Sequence, residues 1–365
     1  MMQKKRKETH AERSIRHCLD MIAPFEASEP DDEKEQREFY QFMVTLYEEM
    51  YENPEKYLVF PGPYEEYMDK RKRKNEKKEK EHVSDSREST LRNTFQQAIS
   101  FYALFLYQSG LRSDGLDEKT GSLILRKDNY QEVLDKVNRI HESHYNCERF
   151  RILQELGVRI IEKKGYVFIA HEKRKRAMAG LLYLCKAPES KYKWMNFLRL
   201  DYKNAYSKAP TVRDICQTLP AEYSEIVECL EEHLSGIKVR AKIKPLRGIV
   251  SDFKWKVEYA SKGKNICGFY ADNETFMLCI YFNHFQNINE FAGKLLKENI
   301  ELFQWFKNQF PERLCKCPNN RRVDFGGEFR RICGLSNRAE IVNPDNEDIK
   351  NALYILSKYR NIHDK

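Results

Sequence analysis

The spacing of apolar residues changes at residue 237, and this change constrains the fold more than any other feature of the chain. Before it, apolar residues recur every three or four positions, as in Tyr223, Val227 and Leu230, which is typical of an amphipathic helix. After it, the segment IKVRAKIKP alternates apolar and basic residues, as a half-buried strand does. The sequence therefore predicts a helical part followed by a part built on a sheet.

The C-terminal part is predicted to be an α+β domain. On the buried side of its first strand the alternation places Ile237, Val239, Ala241 and Ile243. The segments KWKVEYA, NICGFYAD and TFMLCIYFN follow as further strands, and the short turns between them predict an antiparallel meander. Helices between residues 287 and 308 and a last helix with Leu353 and Leu356 complete a domain with helices on one sheet face.

From Lys254 onward the predicted elements follow a definite order. The order is a tryptophan-containing strand, a Lys-Gly-Lys turn, two apolar strands and then a helix. This order resembles the small bacterial α+β domains grouped as YdhG-like or frataxin-like proteins, and the resemblance covers residues 237–365. It implies the same antiparallel sheet with helices. The iron-chaperone activity attached to that group needs an acidic face, whereas this part of the chain is basic, so the resemblance implies no iron delivery here.

The part before residue 237 is predicted to be mainly helical with one β-hairpin. Phe39, Phe42 and Leu46 lie on one face of an amphipathic helix. Residues 91–111 are apolar over a wide arc, which predicts a buried helix that ends at Gly110. Two β-rich runs joined by a Lys-Lys-Gly turn predict a hairpin at residues 158–170.

Three segments are expected on this basis. Residues 1–84 form an arm, an amphipathic helix and a charged linker, residues 85–236 the mainly helical domain, and residues 237–365 the basic α+β domain. The linker is the segment DKRKRKNEKKEKEH, with eight lysines and arginines and four acidic residues. Such a run is typical of a linker or a solvated helix, and a nucleic-acid or nuclear-import tract is the alternative.

Two helices followed by the hairpin also match the order of elements in the back half of a winged helix. On that hypothesis, Lys163 and Lys164 lie at the tip of the wing, and Arg174 and Arg176 contact phosphates at the start of the next helix. A hairpin inserted into a helical domain, with ordinary surface lysines, explains the same pattern.

Positive charge is concentrated in the C-terminal part. The whole chain has a formal net charge of +8, whereas residues 237–338 contain 19 lysines and arginines against 10 acidic residues and carry +9 alone. A basic domain favours an anionic partner, and nucleic acid and the acidic surface of another protein are the two candidates.

The segment LCKCPNNRRVDFGGEFRRICG is the most basic stretch of this part. The runs RRVDF and FRRIC flank a Gly-Gly pair, which predicts a hairpin with Arg322 opposite Arg330 or Arg321 opposite Arg331. Guanidinium groups suit phosphates and carboxylates. The predicted anion-binding residues are Arg321, Arg322, Arg330, Arg331 and Arg338. A plain basic hairpin whose arginines pair with nearby acids is the alternative.

Three cysteines flank this hairpin. Cys315 and Cys317 have one residue between them, and Cys333 follows at a distance, so the spacing differs from the paired cysteines of structural zinc sites. Arginines near them favour the thiolate, although the sequence places no base beside them. We expect no metal and no cofactor.

The remaining expectations concern function and location. The common catalytic motifs do not occur, so an intracellular binding protein is the main hypothesis, and the question of enzymatic activity stays open. The alternatives are an enzyme or small-ligand receptor with a pocket in the C-terminal domain, and a helical scaffold protein. The first twenty residues contain no apolar signal segment, and no long apolar run occurs, which predicts a cytoplasmic protein without a membrane partner.

Overall fold

The computed structural model describes residues 10–57, 86–140, 143, 146–206, 209–236, 239–245, 253–282, 288–310, 321–332 and 338–363. The fold is α+β, as predicted, with a helical N-terminal part. The chain divides into two compact units, of which the first comprises residues 1–209 and 245–252 and the second comprises residues 210–244 and 253–365. Within the described ranges, no helix combines the length and apolar character needed to cross a membrane.

The first unit is mainly helical. Its helices are α1 His10–Met21, α2 Glu33–Glu52, α3 Pro54–Tyr57, α4 Ser86–Arg112, α5 Lys127–Val137, α6 Asn146–Glu155, α7 Ala177–Lys186 and α8 Lys193–Leu198. Helix α4 supplies much of the core. Phe101 and Phe105 are fully buried on it, and both rings lie 5.0 Å from the ring of Phe150 on α6, in edge-to-face contacts.

Two glycines of this unit lie inside helices and permit close packing. Helix α4 continues past Gly110 to Arg112, so the predicted stop at Gly110 is wrong. A Cβ atom at Gly110 would lie 2.5 Å from the Sγ atom of Cys185 on α7. At Gly180 a Cβ atom would clash with the backbone carbonyl oxygen of Glu35, because α2 and α7 cross there. Helix α2 therefore belongs to the core of this unit, so the predicted boundary at residue 84 does not separate it from the helical domain.

A four-stranded antiparallel sheet completes the first unit. Its strands are β1 Gly115–Leu116, β2 Leu123–Arg126, β3 Val158–Lys163 and β4 Tyr166–His171, in the order β1-β2-β4-β3. The predicted hairpin is β3 and β4. Its turn consists of Lys164 and Gly165, both with positive φ angles, of 49° and 81°. Strand β4 pairs with β2 on its other edge, a pairing that a winged helix also has, so the winged-helix hypothesis stays a prediction.

The second unit contains the predicted meander. Its helices are α9 Val212–Cys216, α10 Ala221–Ser235, α11 Ile288–Glu298, α12 Ile300–Asn308 and α13 Asn346–His363. Its strands are β5 Arg240–Ile243, β6 Trp255–Ser261, β7 Lys264–Ala271, β8 Phe276–Tyr281, β9 Arg321–Phe325, β10 Glu328–Ile332 and β11 Arg338–Val342. Five of these strands form one antiparallel sheet in the order β11-β8-β7-β6-β5, and β9 and β10 pair separately.

Strand β5 lies at the edge of this sheet and is less buried than its alternating sequence predicts. Ile243 is buried, but Ala241 is exposed together with Arg240 and Lys242. An edge strand is covered by one neighbour only, so its apolar positions are screened less than those of inner strands. Ile237 lies outside the described residues.

Helix α10 packs in the second unit, although the predicted boundary at residue 236 assigns it to the helical domain. The ring of Tyr223 on α10 lies 5.4 Å from the ring of Phe276 on β8, and the Tyr223 hydroxyl donates a hydrogen bond to the Glu274 carbonyl oxygen at 2.8 Å. Its apolar face is therefore buried against the sheet that follows it in the chain.

Candidate anion-binding surface

The hairpin of β9 and β10 turns at Gly326 and Gly327, as the sequence predicts. Their φ angles of +68° and +94° fit a two-residue turn in which both residues are left-handed, and glycine adopts that region without strain. This turn length pairs Arg322 with Arg331, so the two predicted pairings, Arg322 with Arg330 and Arg321 with Arg331, are both wrong by one residue. Alternation then places Arg322 and Arg331 on one face of the hairpin and Arg330 on the other.

The inner face of the hairpin packs on α11 and α12. Val323 and Phe325 are buried, and the Phe325 ring lies 5.8 Å from the ring of Phe310 and 6.1 Å from that of Phe306. The turn is also packed, since a Cβ atom at Gly326 would lie 2.9 Å from the Cδ2 atom of Leu296. These contacts hold the hairpin against the two helices.

Arg330 belongs to this inner face and stabilises the end of α12. Its Nη1 atom donates hydrogen bonds to the carbonyl oxygens of Lys307 and Phe310, at 2.8 and 3.0 Å. Carbonyl groups at a helix C-terminus have no partner within the helix and carry partial negative charge, so a guanidinium group is a favourable donor there. The predicted role of Arg330 as an anion ligand is therefore replaced by a structural one.

Glu328 completes this contact. It accepts a hydrogen bond from the Nε atom of Arg330 at 2.7 Å and forms an ion pair with the ammonium group of Lys307. Hydrogen bonds from Lys307 and from Arg330 lower the pKa of Glu328 below its usual value. The acid that lies near the turn thus neutralises Arg330 and Lys307 and does not reach across to the other face.

The outer face of the hairpin consists of Arg322, Asp324, Phe329 and Arg331. The Cζ atom of Arg322 lies 3.8 Å from the centre of the Phe329 ring, and that ring is 50% exposed. Arg331 is exposed directly opposite Arg322. Within the described ranges, no carboxylate pairs with either of these two arginines.

Asp324 serves the turn. One of its carboxylate oxygens accepts a hydrogen bond from the Gly327 amide at 2.7 Å, and its own amide donates to the Oδ1 atom of Asn289 at 3.0 Å. These bonds fix the hairpin turn and link it to helix α11. The outer face therefore has two guanidinium groups beside a single carboxylate that already accepts a backbone hydrogen bond.

Arg338, another predicted anion ligand, does not belong to the hairpin. Arg338 lies on β11, where it pairs with Glu340 and its Nη1 atom donates to the hydroxyl oxygen of Tyr270 at 3.1 Å and that of Tyr281 at 3.4 Å. Burial raises the pKa of Tyr281, so its hydroxyl stays protonated. Arg321 pairs with Ile332 through its backbone, and its side chain lies outside the described part of the structure.

The residues predicted for the wing separate into two groups. Lys163 ends β3 and Lys164 forms the turn, and both are exposed. Arg174 instead donates from its Nη1 atom to the Oε1 atom of Gln41 at 3.0 Å, and the Nη1 atom of Arg176 lies 3.2 Å from a carboxylate oxygen of Glu35. These two arginines tie the segment between β4 and α7 to α2 and do not face the hairpin tip.

The three flanking cysteines Cys315, Cys317 and Cys333 lie outside the described residues, so the metal hypothesis stays untested there. In the part of the chain that is described, no three His, Cys, Asp or Glu side chains lie close enough together to hold a metal ion.

Sequence reasoning missed Phe329 as a partner of Arg322 and missed the contact of Arg330 with α12. The contact of Phe329 with Arg322 has a signal in the sequence. Once the turn of a hairpin is known, the register of its strands follows, and the register shows which residues of the two strands share a face. The contact of Arg330 with α12 needs the fold, since α12 precedes Arg330 by about twenty positions.

Comparison with known proteins gives no relative. No family model matches the chain, and no curated protein and no solved structure matches it either. The resemblance of residues 237–365 to YdhG-like and frataxin-like domains therefore stays a prediction.

Proposed function

We propose that the protein binds nucleic acid through the outer face of the β9–β10 hairpin. The observation that carries this proposal is the position of the Arg322 guanidinium over the half-exposed Phe329 ring, with Arg331 directly opposite Arg322.

The charges of this face favour an anion. Like charges directly opposite each other on two paired strands are destabilising, and an anion held between them removes that repulsion. The aromatic ring holds Arg322 in place, while the planar guanidinium keeps donors available at its edge. Asp324 brings one negative charge against two positive ones, so the face keeps surplus positive charge.

Nucleic acid fits this face better than an isolated anion does. Phosphates suit guanidinium groups, and an exposed ring beside them can stack on a base. The charge of +9 over residues 237–338 adds long-range attraction to the whole unit. The acidic surface of another protein is the competing partner, because it would respond to the same charges.

The test compares variants that remove the same charge from different places. Binding to mixed-sequence DNA and RNA is measured across a salt series for the unchanged protein, for Arg322→Gln with Arg331→Gln, and for Arg240→Gln with Lys242→Gln on the exposed edge strand β5. The hairpin variant is expected to bind more weakly and to reduce the salt slope by up to about 1.8 for duplex DNA. The β5 variant is expected to keep most of the affinity and most of the salt slope.

Two results would contradict the proposal. Absence of binding at low salt removes nucleic acid as the partner. The second result concerns polyglutamate, a mimic of an acidic protein surface. If polyglutamate binds as tightly as RNA, and if Phe329→Ala weakens the binding of both to the same extent, the partner is an acidic protein instead.

A further inference from the structure

The first unit has an exposed sheet surface of its own, which we call the outer face of the first sheet and define as Ile124, Arg126, Ile161, Lys163, Tyr166 and Phe168. Strand pairing brings these residues together. Phe168 lies opposite Ile161 on β3 and Ile124 on β2, and Tyr166 lies opposite Lys163 and Arg126. The alternation of side chains along each strand places all six on the same side of the sheet.

This surface is apolar and faces solvent. Ile161 is 57% exposed and Tyr166 is 42% exposed, while Phe168 is half-buried. The opposite side of the same strands is the core, since Val167 and Ile169 are almost fully buried. Neighbouring exposed apolar side chains on a sheet, rimmed by charged ones, mark an interaction surface.

Surplus positive charge lies at the tip of this surface. Arg126 is 3.5 Å from a carboxylate oxygen of Asp114, so its charge is balanced. Lys163 and Lys164 are exposed at the turn, and in the described part of the chain neither forms an ion pair. The surface therefore combines aromatic rings on β4, the strand between β2 and β3, with two uncompensated cations at one end.

We infer that the outer face of the first sheet binds single-stranded nucleic acid, with bases stacked on Tyr166 and Phe168 and phosphates at Lys163 and Lys164. Sequential same-face positions on a strand are about 7 Å apart, which lets each ring take a separate base. Bases have two π-faces, and single strands leave those faces free, whereas a duplex hides them in its own stack. The surplus positive charge favours a polyanion over an apolar protein partner.

This site is separate from the one proposed on the β9–β10 hairpin, because it lies in the other unit and shares no residue with it. The experiment is therefore done in the full chain with Arg322→Gln and Arg331→Gln already present, so that the hairpin contributes little. Fluorescence anisotropy measures the binding of single-stranded and duplex oligonucleotides of mixed sequence. Failure of the hairpin proposal then leaves this measurement unaffected.

Tyr166→Ala is expected to weaken single-strand binding at least about fivefold. The matched control is Tyr354→Ala, which removes a tyrosine that is 39% exposed on α13. Lys163→Gln with Lys164→Gln is expected to lower the salt slope by about 1.4. Its control is Lys262→Gln with Lys264→Gln, because Lys262 and Gly263 form a turn with nearly the same φ angles, 48° and 80°.

Three results would overturn the inference. The first is the absence of single-strand binding at low salt. The second is equal affinity for duplex and single strand, or an unchanged affinity in Tyr166→Ala, because either excludes stacking. The third is concentration-dependent self-association of the chain that Tyr166→Ala abolishes, since this result identifies a second copy as the occupant of the surface.

Discussion

Arg330 donates a hydrogen bond of 2.8 Å to the carbonyl oxygen of Lys307, and so joins the β9–β10 hairpin to the last turn of α12. Its neighbour in the chain, Arg331, lies on the other face of the hairpin and is exposed. Two adjacent arginines of the same basic run therefore have different roles, one within the fold and one at its surface.

Replacing Arg330 by leucine is expected to lower the free energy of unfolding by about 2 kcal/mol, because the carbonyl groups of Lys307 and Phe310 lose a charged donor. Arg331→Leu is the matched control and is expected to change it by less than about 0.5 kcal/mol. Urea denaturation, with hydrogen exchange of the hairpin amides to locate the effect, measures both. Equal losses in the two variants would show that Arg330 does not stabilise the end of α12.

Two helical glycines are expected to respond oppositely to alanine. Gly180→Ala pushes a methyl group into the backbone of α2 at Glu35 and is expected to cost about 1–3 kcal/mol. Among the described residues, a Cβ atom at Gly293 on α11 would have no other atom within 4 Å beyond its chain neighbours and the backbone of its own helix, and Gly293→Ala is expected to stabilise the protein by about 0.5–1 kcal/mol through helix propensity. Thermal unfolding of the two variants measures both effects. A loss of stability in both variants would contradict the open space found beside Gly293.

The stability of the first unit is expected to fall in mild acid because of His171. The Nδ1 atom of this imidazole accepts amide hydrogen bonds from Lys173 at 3.2 Å and Arg174 at 3.1 Å, which requires an unprotonated nitrogen. Burial and then the charge of Arg174 lower the pKa of His171 below its usual 6.5, against smaller opposing effects from Glu38 and Glu172.

The direction of the pH effect follows from this shift. A base whose pKa is lower in the folded state stabilises the fold above its unfolded pKa, and this contribution is lost as the pH falls below 6.5. The imidazole titration by NMR gives the pKa directly. His171→Gln keeps an acceptor without titrating, and it is expected to show a flatter pH dependence of stability. A His171 pKa above 6.5 would contradict this prediction.

Cysteine reactivity is expected to follow burial. Cys18, Cys185, Cys267 and Cys279 are buried thiols, and burial, followed by the charge of Asp20, raises the pKa of Cys18 to about 12. Cys147 and Cys229 are exposed. Brief alkylation of the folded protein, followed by peptide mass spectrometry, is expected to modify Cys147 and Cys229 and leave these four buried thiols intact. Early labelling of Cys185 would show that the packing of Gly110 against it opens readily.

Local patterns predicted the elements that local chemistry determines. The Gly-Gly pair between RRVDF and EFRRI predicts a hairpin because such a turn requires left-handed residues, and the Lys-Gly turn of β3 and β4 follows the same rule. The switch from helical spacing to alternation predicted the sheet of the second unit. The exposed face with Arg322 and Arg331 was predicted in part. The sequence identified both arginines, but the predicted pairing of the two strands was wrong by one residue.

Features that depend on distant contacts were not predicted. Strand β2 has four residues, and its assignment rests on pairing with β4, which lies more than forty positions later. Gly110 looks like a helix stop until Cys185 is brought beside it. Arg330 looks like an anion ligand until the carbonyl groups of α12 are placed within its reach. In each case the residue's role depends on a contact with a segment that is distant in the sequence, so the neighbouring residues do not predict it.

Strand β5 bears on how the protein behaves at high concentration. Open sheet edges can add a strand from a neighbouring molecule, and short, charged edges resist this. This edge has only four residues, and Arg240 and Lys242 are exposed on it. Two molecules that approach through their β5 edges would bring four cations together, so edge-to-edge polymerisation through this strand is disfavoured. Salt screens the charges and therefore reduces this electrostatic repulsion.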